Sequence, residues 1–185
     1  HWVEIMKKVN LLVKYVFGLV VCLLLRLIPY RVPNIEPIMA TTMPFGKQFS
    51  YLGGFAFGFL SIVLFDLLTK FGLWTWITAG MYGLVGLAAA WWFQKRPATA
   101  LNFAGFSIVA TLVYDFITGP IMSSFMFKMP FMESLIGQIP FTLWHLGGNV
   151  VFAVVVSPVL YKWVVSNESF AIANLGQLFA RPDKS

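Results

Sequence analysis

Apolar runs recur along the chain, and short stretches between them hold most of the charge. Runs of about 20 apolar residues are long enough to cross a bilayer as helices. Five such runs stand out, at about 9–29, 49–69, 73–94, 100–122 and 139–164. A sixth, "EPIMATTMPFG" at about 36–46, is too short to cross alone. Pro33, Pro37 and Pro44 predict that it is a short, broken helix following an outer loop. The pattern predicts an all-α, polytopic integral membrane protein of six transmembrane helices. One membrane domain is expected over 1–165, followed by a cytoplasmic tail over 166–185. In that tail, "SFAIANLGQLFA" fits a short interfacial helix.

Basic residues orient the spans. With six spans and both termini in the cytoplasm, Lys7, Lys8, Lys14, Lys47, Lys95, Arg96, Lys162, Arg181 and Lys184 lie inside. Arg26, Arg31, Lys70 and Lys128 lie outside. The excess inside is the usual signature of cytoplasmic loops. If the short second segment does not cross, "FQKRP" faces outside and the bias is lost.

Two carboxylates interrupt the apolar pattern. Asp66 sits in "SIVLFDLLTKFG" and Asp115 in "TLVYDFITGP". The topology puts both in the outer halves of spans running the same way. A carboxylate at mid-span costs about 2.5–3.5 kcal/mol on insertion scales, and less near the interface. The two therefore either cap outer helix ends or face a polar cavity, which intramembrane ionisable groups usually do. The last span opens "IPFTLWHLGGNVVF", placing Trp144, His145 and Asn149 in the outer half as well. His145 and Asn149 are four apart and share a helical face. His145 is either a packing residue or part of a shared site. Asn34 and Glu36 come from the proline-flanked outer loop. Trp74 and Trp76 begin the fourth span as interfacial aromatics, or as a surface on which a ligand stacks. Polar groups at one depth among apolar walls describe a small-molecule pocket. The inner halves, "GLVVC", "GGFAFGF" and "VVVSPVLY", hold no continuous polar path.

Composition narrows the class. Of the 185 residues 59% are hydrophobic and 11% charged, far below the quarter or so usual for soluble domains. The net charge of +6 belongs to membrane topology and does not point to nucleic acid. A single cysteine, Cys22, excludes a disulfide framework. Two histidines, His1 and His145, exclude His-rich metalloprotease spacing, and no metal site is expected. There is no Gly-x-Ser-x-Gly elbow and no phosphate loop followed by Lys and Ser/Thr. No catalytic residue and no enzymatic activity are expected.

Taken together, "LRLIPYRVPNIEP", the short segment ending "PFGK", the Gly-rich "YLGGFAFGFLSIVLFDLLT" with its late Asp, "TAGMYGLVGLAAAWWF" and the last span "IPFTLWHLGGNVVFAVVVSPVLYKW" resemble the substrate-binding (S) component of energy-coupling factor (ECF) transporters. The resemblance implies a six-helix protein of the cell membrane that captures a vitamin or related micronutrient from outside. It implies docking on a transmembrane coupling protein, with ATP hydrolysed by two partner subunits and no cofactor in this chain. It points to Asn34, Glu36, Asp66, Asp115, Trp144, His145 and Asn149 as ligand-contacting positions; Trp74 joins them only through its place at the start of the fourth span. Three carboxylates and a histidine lean toward a ligand bearing donors or positive charge, such as a thiamine-like heterocycle. Family members dock through small residues of the first helix, often Ala-x-x-x-Ala; the nearest equivalent is Gly18-Leu-Val-Val-Cys22. The rival readings are a stand-alone proton- or cation-coupled carrier using Asp66 and Asp115, and an assembly protein that needs no outward polar cluster.

Overall fold

The computed structural model describes residues 2–28 and 36–168, and their regular structure is all helical, with no strand among them. The helices are α1 (Trp2–Leu27), α2 (Ile38–Gln48), α3 (Tyr51–Leu68), α4 (Leu73–Phe93), α5 (Ala100–Phe116), α6 (Met122–Phe127) and α7 (Phe131–Leu160). A π-helical turn, Ile117–Ile121, joins α5 to α6, and a second, Tyr161–Val165, closes α7. Each follows or holds a proline, Pro158 and Pro120 respectively, and a widened turn is a common way for a helix to absorb such a defect. Five helical segments are long and apolar enough to cross a membrane: Trp2–Leu27, Tyr51–Leu68, Leu73–Phe93, Ala100–Phe127 and Phe131–Val165. Large apolar side chains such as Leu52, Leu101, Val151 and Trp163 face outward all round the bundle. Water does not tolerate so continuous an apolar surface, whereas lipid does. The protein is a multi-pass membrane protein.

The short second segment is the centre of the bundle. Every residue from Ile38 to Gly46 is buried, against α1, α3, α4, α5 and α7. Its eleven residues rise only about 16 Å, too little for a lipid-facing span. Yet it joins the two ends. Glu36, just before it, pairs with Arg26 at the end of α1, and Lys47 near its end donates to the carbonyls of Phe93 and Arg96 at the end of α4. So α1, α3 and α5 run one way and α2, α4 and α7 the other, which is the arrangement expected for six helices with one short member.

The expectation that proline breaks α2 is corrected: the helix runs unbroken through Pro44. Pro44 has no N–H, so the Ala40 carbonyl four residues back loses its helical donor. Ser157 of α7 replaces it, donating its Oγ–H to the Ala40 oxygen at 2.8 Å. A buried carbonyl in an apolar bundle demands such a partner.

Glycines let the other helices close around α2. A side chain at Gly54 or Gly86 would run into the backbone of the other, and one at Gly58 into the carbonyl of Tyr82. The α3 and α4 backbones therefore touch, as small residues permit in membrane bundles. Gly18 of α1 lies against the ring of Phe45, and Cys22 is fully buried beside Ile38 and Tyr82. At the end of the bundle where α2 finishes, Lys14 donates to the carbonyls of Val165 and Asn167, fastening the first helix to the last. A cation suits the carbonyl end of a helix.

Ser157→Ala is expected to lower stability by ~1 kcal/mol, the net worth of one hydrogen bond, read as a lower melting temperature in detergent. Pro44→Ala restores the missing N–H. In that background Ser157→Ala costs less, and a fully additive double mutant would show that the two residues do not serve the same carbonyl. Gly86→Leu is expected to eliminate the monodisperse folded protein.

Candidate binding cavity

A polar cavity of about 230 Å³ opens at the end of the bundle where α1 finishes and α2 begins. Its lining comes from α1, α3, α4, α5, α7 and Glu36, two residues before α2. Helical spacing puts them there: Ile62 and Asp66 are four apart on α3, Trp74, Thr78 and Tyr82 four apart on α4, and Phe141 and His145 four apart on α7.

The floor is a His–Asp pair. His145 Nδ1 lies 2.7 Å from Asp115 Oδ1, and both side chains are buried. With Nδ1 engaged by Asp115, Nε2 remains available to the cavity that His145 lines. One turn deeper, Asn149 Nδ2 donates to Thr111 Oγ1 at 2.9 Å, and that hydroxyl donates to Met39 Sδ at 3.5 Å. The two rungs stack because Thr111 precedes Asp115 by four residues on α5 while Asn149 follows His145 by four on antiparallel α7. Ser107 continues the same face of α5 and is fully buried. Among the described residues, Asp115 Oδ2, Asn149 Oδ1 and Ser107 Oγ are buried without hydrogen-bond partners.

Arg26 forms one wall. Its guanidinium donates to the Ser61 carbonyl at 3.1 Å, pairs with Glu36 at 3.5 Å and lies 3.7 Å from the centre of the Phe65 ring. It is nearly fully buried, as a membrane arginine can be when carbonyl, carboxylate and aromatic face all serve it. The Tyr82 and Tyr114 rings pack at 4.7 Å, and Tyr114 and Phe141 each meet the His145 ring edge-on. Asp66, Trp74 and Thr78 complete the lining; no hydrogen bond or ion pair ties the Asp66 carboxylate to another described side chain.

Of the expected positions, Glu36, Asp66, Trp74 and His145 line the cavity, and Asp115 stands directly behind His145. Asn149 lies one rung below the lining and is held by Thr111. Trp144 is not brought to the site. It is 64% exposed and borders a shallow outer groove with Gly147 and Gly148, because neighbouring helical residues point about 100° apart. Asn34 lies outside the described residues. The expected docking positions Gly18 and Cys22 are both buried, Gly18 against the Phe45 ring and Cys22 beside Ile38 of α2. Sequence reasoning missed Arg26, Thr78, Tyr82, Thr111, Tyr114 and Phe141. Counting back by fours from Asp115 reaches Thr111 and Ser107, and counting on by fours from Trp74 reaches Thr78 and Tyr82. Arg26 continues the buried row Gly18, Cys22 of α1. Ser107 of α5 and Ser157 of α7 add buried hydroxyls deeper in the bundle.

Compared with protein-family models, with curated proteins and with solved structures, the chain matches none of them.

His145→Ala leaves the Asp115 carboxylate buried without its partner. A loss of ~3–5 kcal/mol is expected, as for other broken buried pairs. Asp115→Asn keeps an acceptor for Nδ1 and is expected to cost distinctly less. Equal melting temperatures for the parent and His145→Ala would show that the pair does not hold the floor together.

Proposed function

We propose that this chain is the substrate-capturing membrane subunit of an ATP-driven importer of the energy-coupling factor type. The observation that carries the reading is a charged, aromatic-walled cavity whose lining comes wholly from one end of the bundle. Below it the centre is filled by Met39, Met43, Phe93, Phe103 and Phe106. A recess open at one end suits capture and retention; it does not suit a pore. The motifs that resemble the S component agree with this reading, as do the absence of a phosphate loop in this sequence and the bias of basic residues. In this reading the cavity faces the outside of the cell membrane and both termini face the cytoplasm. The chain itself catalyses nothing: ATP is hydrolysed by two partner subunits joined to a transmembrane coupling protein.

The ligand is a small, flat heterocycle bearing a positive charge or several donors. Glu36 offsets Arg26, so Asp66 is the carboxylate left for a cationic group. Trp74, Tyr82, Tyr114 and Phe141 supply faces and edges for a ring, and such faces also attract cations. Nε2 of His145 fixes its orientation. The volume sits below the 300–1,000 Å³ of drug-sized sites, which favours a single ring system or two small ones.

The buried row Asp115, Thr111, Ser107 favours a second reading, a stand-alone proton- or cation-coupled carrier using Asp66 and Asp115. Native mass spectrometry of the gently purified chain separates the two when joined to a transport assay. A capturing subunit retains a small cationic heterocycle, loses it in Asp66→Asn by tenfold or more in affinity, and moves nothing across vesicles that contain it alone. Uptake into such vesicles driven by a proton or sodium gradient would establish the carrier. An empty protein whose melting temperature no vitamin-like cation raises would sink the capture reading.

A further inference from the structure

Between α4 and α5 the outer surface holds an apolar groove of about 310 Å³, distinct from the polar cavity. Met81, Val85, Ala88 and Trp92 of α4 face Val109 and Val113 of α5 across it. From Met81 to Trp92 it extends about 16 Å along the helices, within the segments that cross the membrane. One end of this groove differs from the rest. The Trp92 indole nitrogen is buried there without a hydrogen-bond partner among the described residues. The Arg96 guanidinium stacks over that same ring at 3.9 Å and donates to the Trp92 carbonyl. Lys95 is next to it, and Lys47 reaches the Phe93 and Arg96 carbonyls from α2. The connecting stretch "QKRPAT", 94–99, contains no acidic residue to offset them.

We propose that this groove is a binding site for one anionic phospholipid. An acyl chain fills the apolar recess, which in a bilayer has no other way to avoid a void. The Trp92 ring, with Arg96 stacked on it, closes the groove at the basic end, where interfacial indoles commonly sit. The phosphate rests on Arg96 and Lys95, with Lys47 adding positive potential behind them. Basic corners between membrane helices recognise lipid headgroups in this way. A helix from another protein would fill the recess equally well, but an apolar one would bring no negative charge to the exposed Lys95 and Arg96. An anionic lipid answers both the apolar recess and the basic corner.

The test is native mass spectrometry on the full chain in detergent, delipidated and then given equal amounts of phosphatidylglycerol and phosphatidylcholine with the same acyl chains. One phosphatidylglycerol is expected to stay bound under activation that strips phosphatidylcholine. The surface double variant K95Q/R96Q should bring the two lipids to parity. Val109→Trp, at a half-exposed position on the groove wall, should remove the retained lipid of either kind. Circular dichroism and a monodisperse elution profile check that both variants fold. Retention that is the same in parent and both variants overturns the proposal. So does photo-cross-linking from Val109 in native membranes that yields a protein adduct in place of lipid.

Discussion

Lipid offers no hydrogen bonds, so a membrane-embedded backbone must satisfy itself, and this chain routes its least helix-friendly segment through the middle. The buried α2 is short and holds Pro44, and its unpaired Ala40 carbonyl is completed by Ser157 from α7. Everything else is arranged around that requirement. The glycines at 46, 54, 58 and 86 bring α2, α3 and α4 into backbone contact, and Phe45 fills the space that Gly18 leaves on α1. The shortness of α2 matters as much as its burial. Above its first residue the surrounding helices continue without a centre, and the polar cavity occupies that space.

Helical periodicity then decides what the cavity contains. The helices around it present a row of fours inward, and the same rows that pack the interior lower down become lining residues at the open end. The His145–Asp115 pair sits at the changeover, with one histidine nitrogen turned to the cavity and the carboxylate closed off beneath. Arg26 does the same on α1, continuing the buried row of Gly18 and Cys22 into a charged wall held by Glu36, Ser61 and Phe65. Arg26 enters this interior met by a carboxylate, a carbonyl and an aromatic ring, and Asp115 enters it against His145.

Much of this was legible in the order of residues. Apolar run lengths found the long helices, and the short segment that the balance of basic residues asked to cross makes contacts at both ends of the bundle. Asp66, Asp115, His145 and Glu36 were legible as neighbours because ionisable groups in apolar runs are costly and few. What remained hidden depends on rotation about helix axes. Trp144 and His145 are adjacent in sequence and part company in space, while Arg26 looked like one more charge at a helix end. Small residues at 18 and 22 carry the same spacing whether they meet a partner protein or the chain's own Phe45. The tolerance of Pro44 was hidden for another reason: its compensating donor lies 117 residues away.

That separation bears on how the molecule is made. Chains emerge from the ribosome at roughly 5–20 residues per second, so Ala40 waits on the order of 6–20 s for Ser157. Lys14 waits longer still for the carbonyls of Val165 and Asn167. During synthesis the central helix is therefore inserted with a bare carbonyl, and the first helix has nothing to fasten to at that end. The molecule reaches its final packing only when its last membrane segment arrives, so a ribosome that stalls before that segment leaves behind a set of helices and no protein.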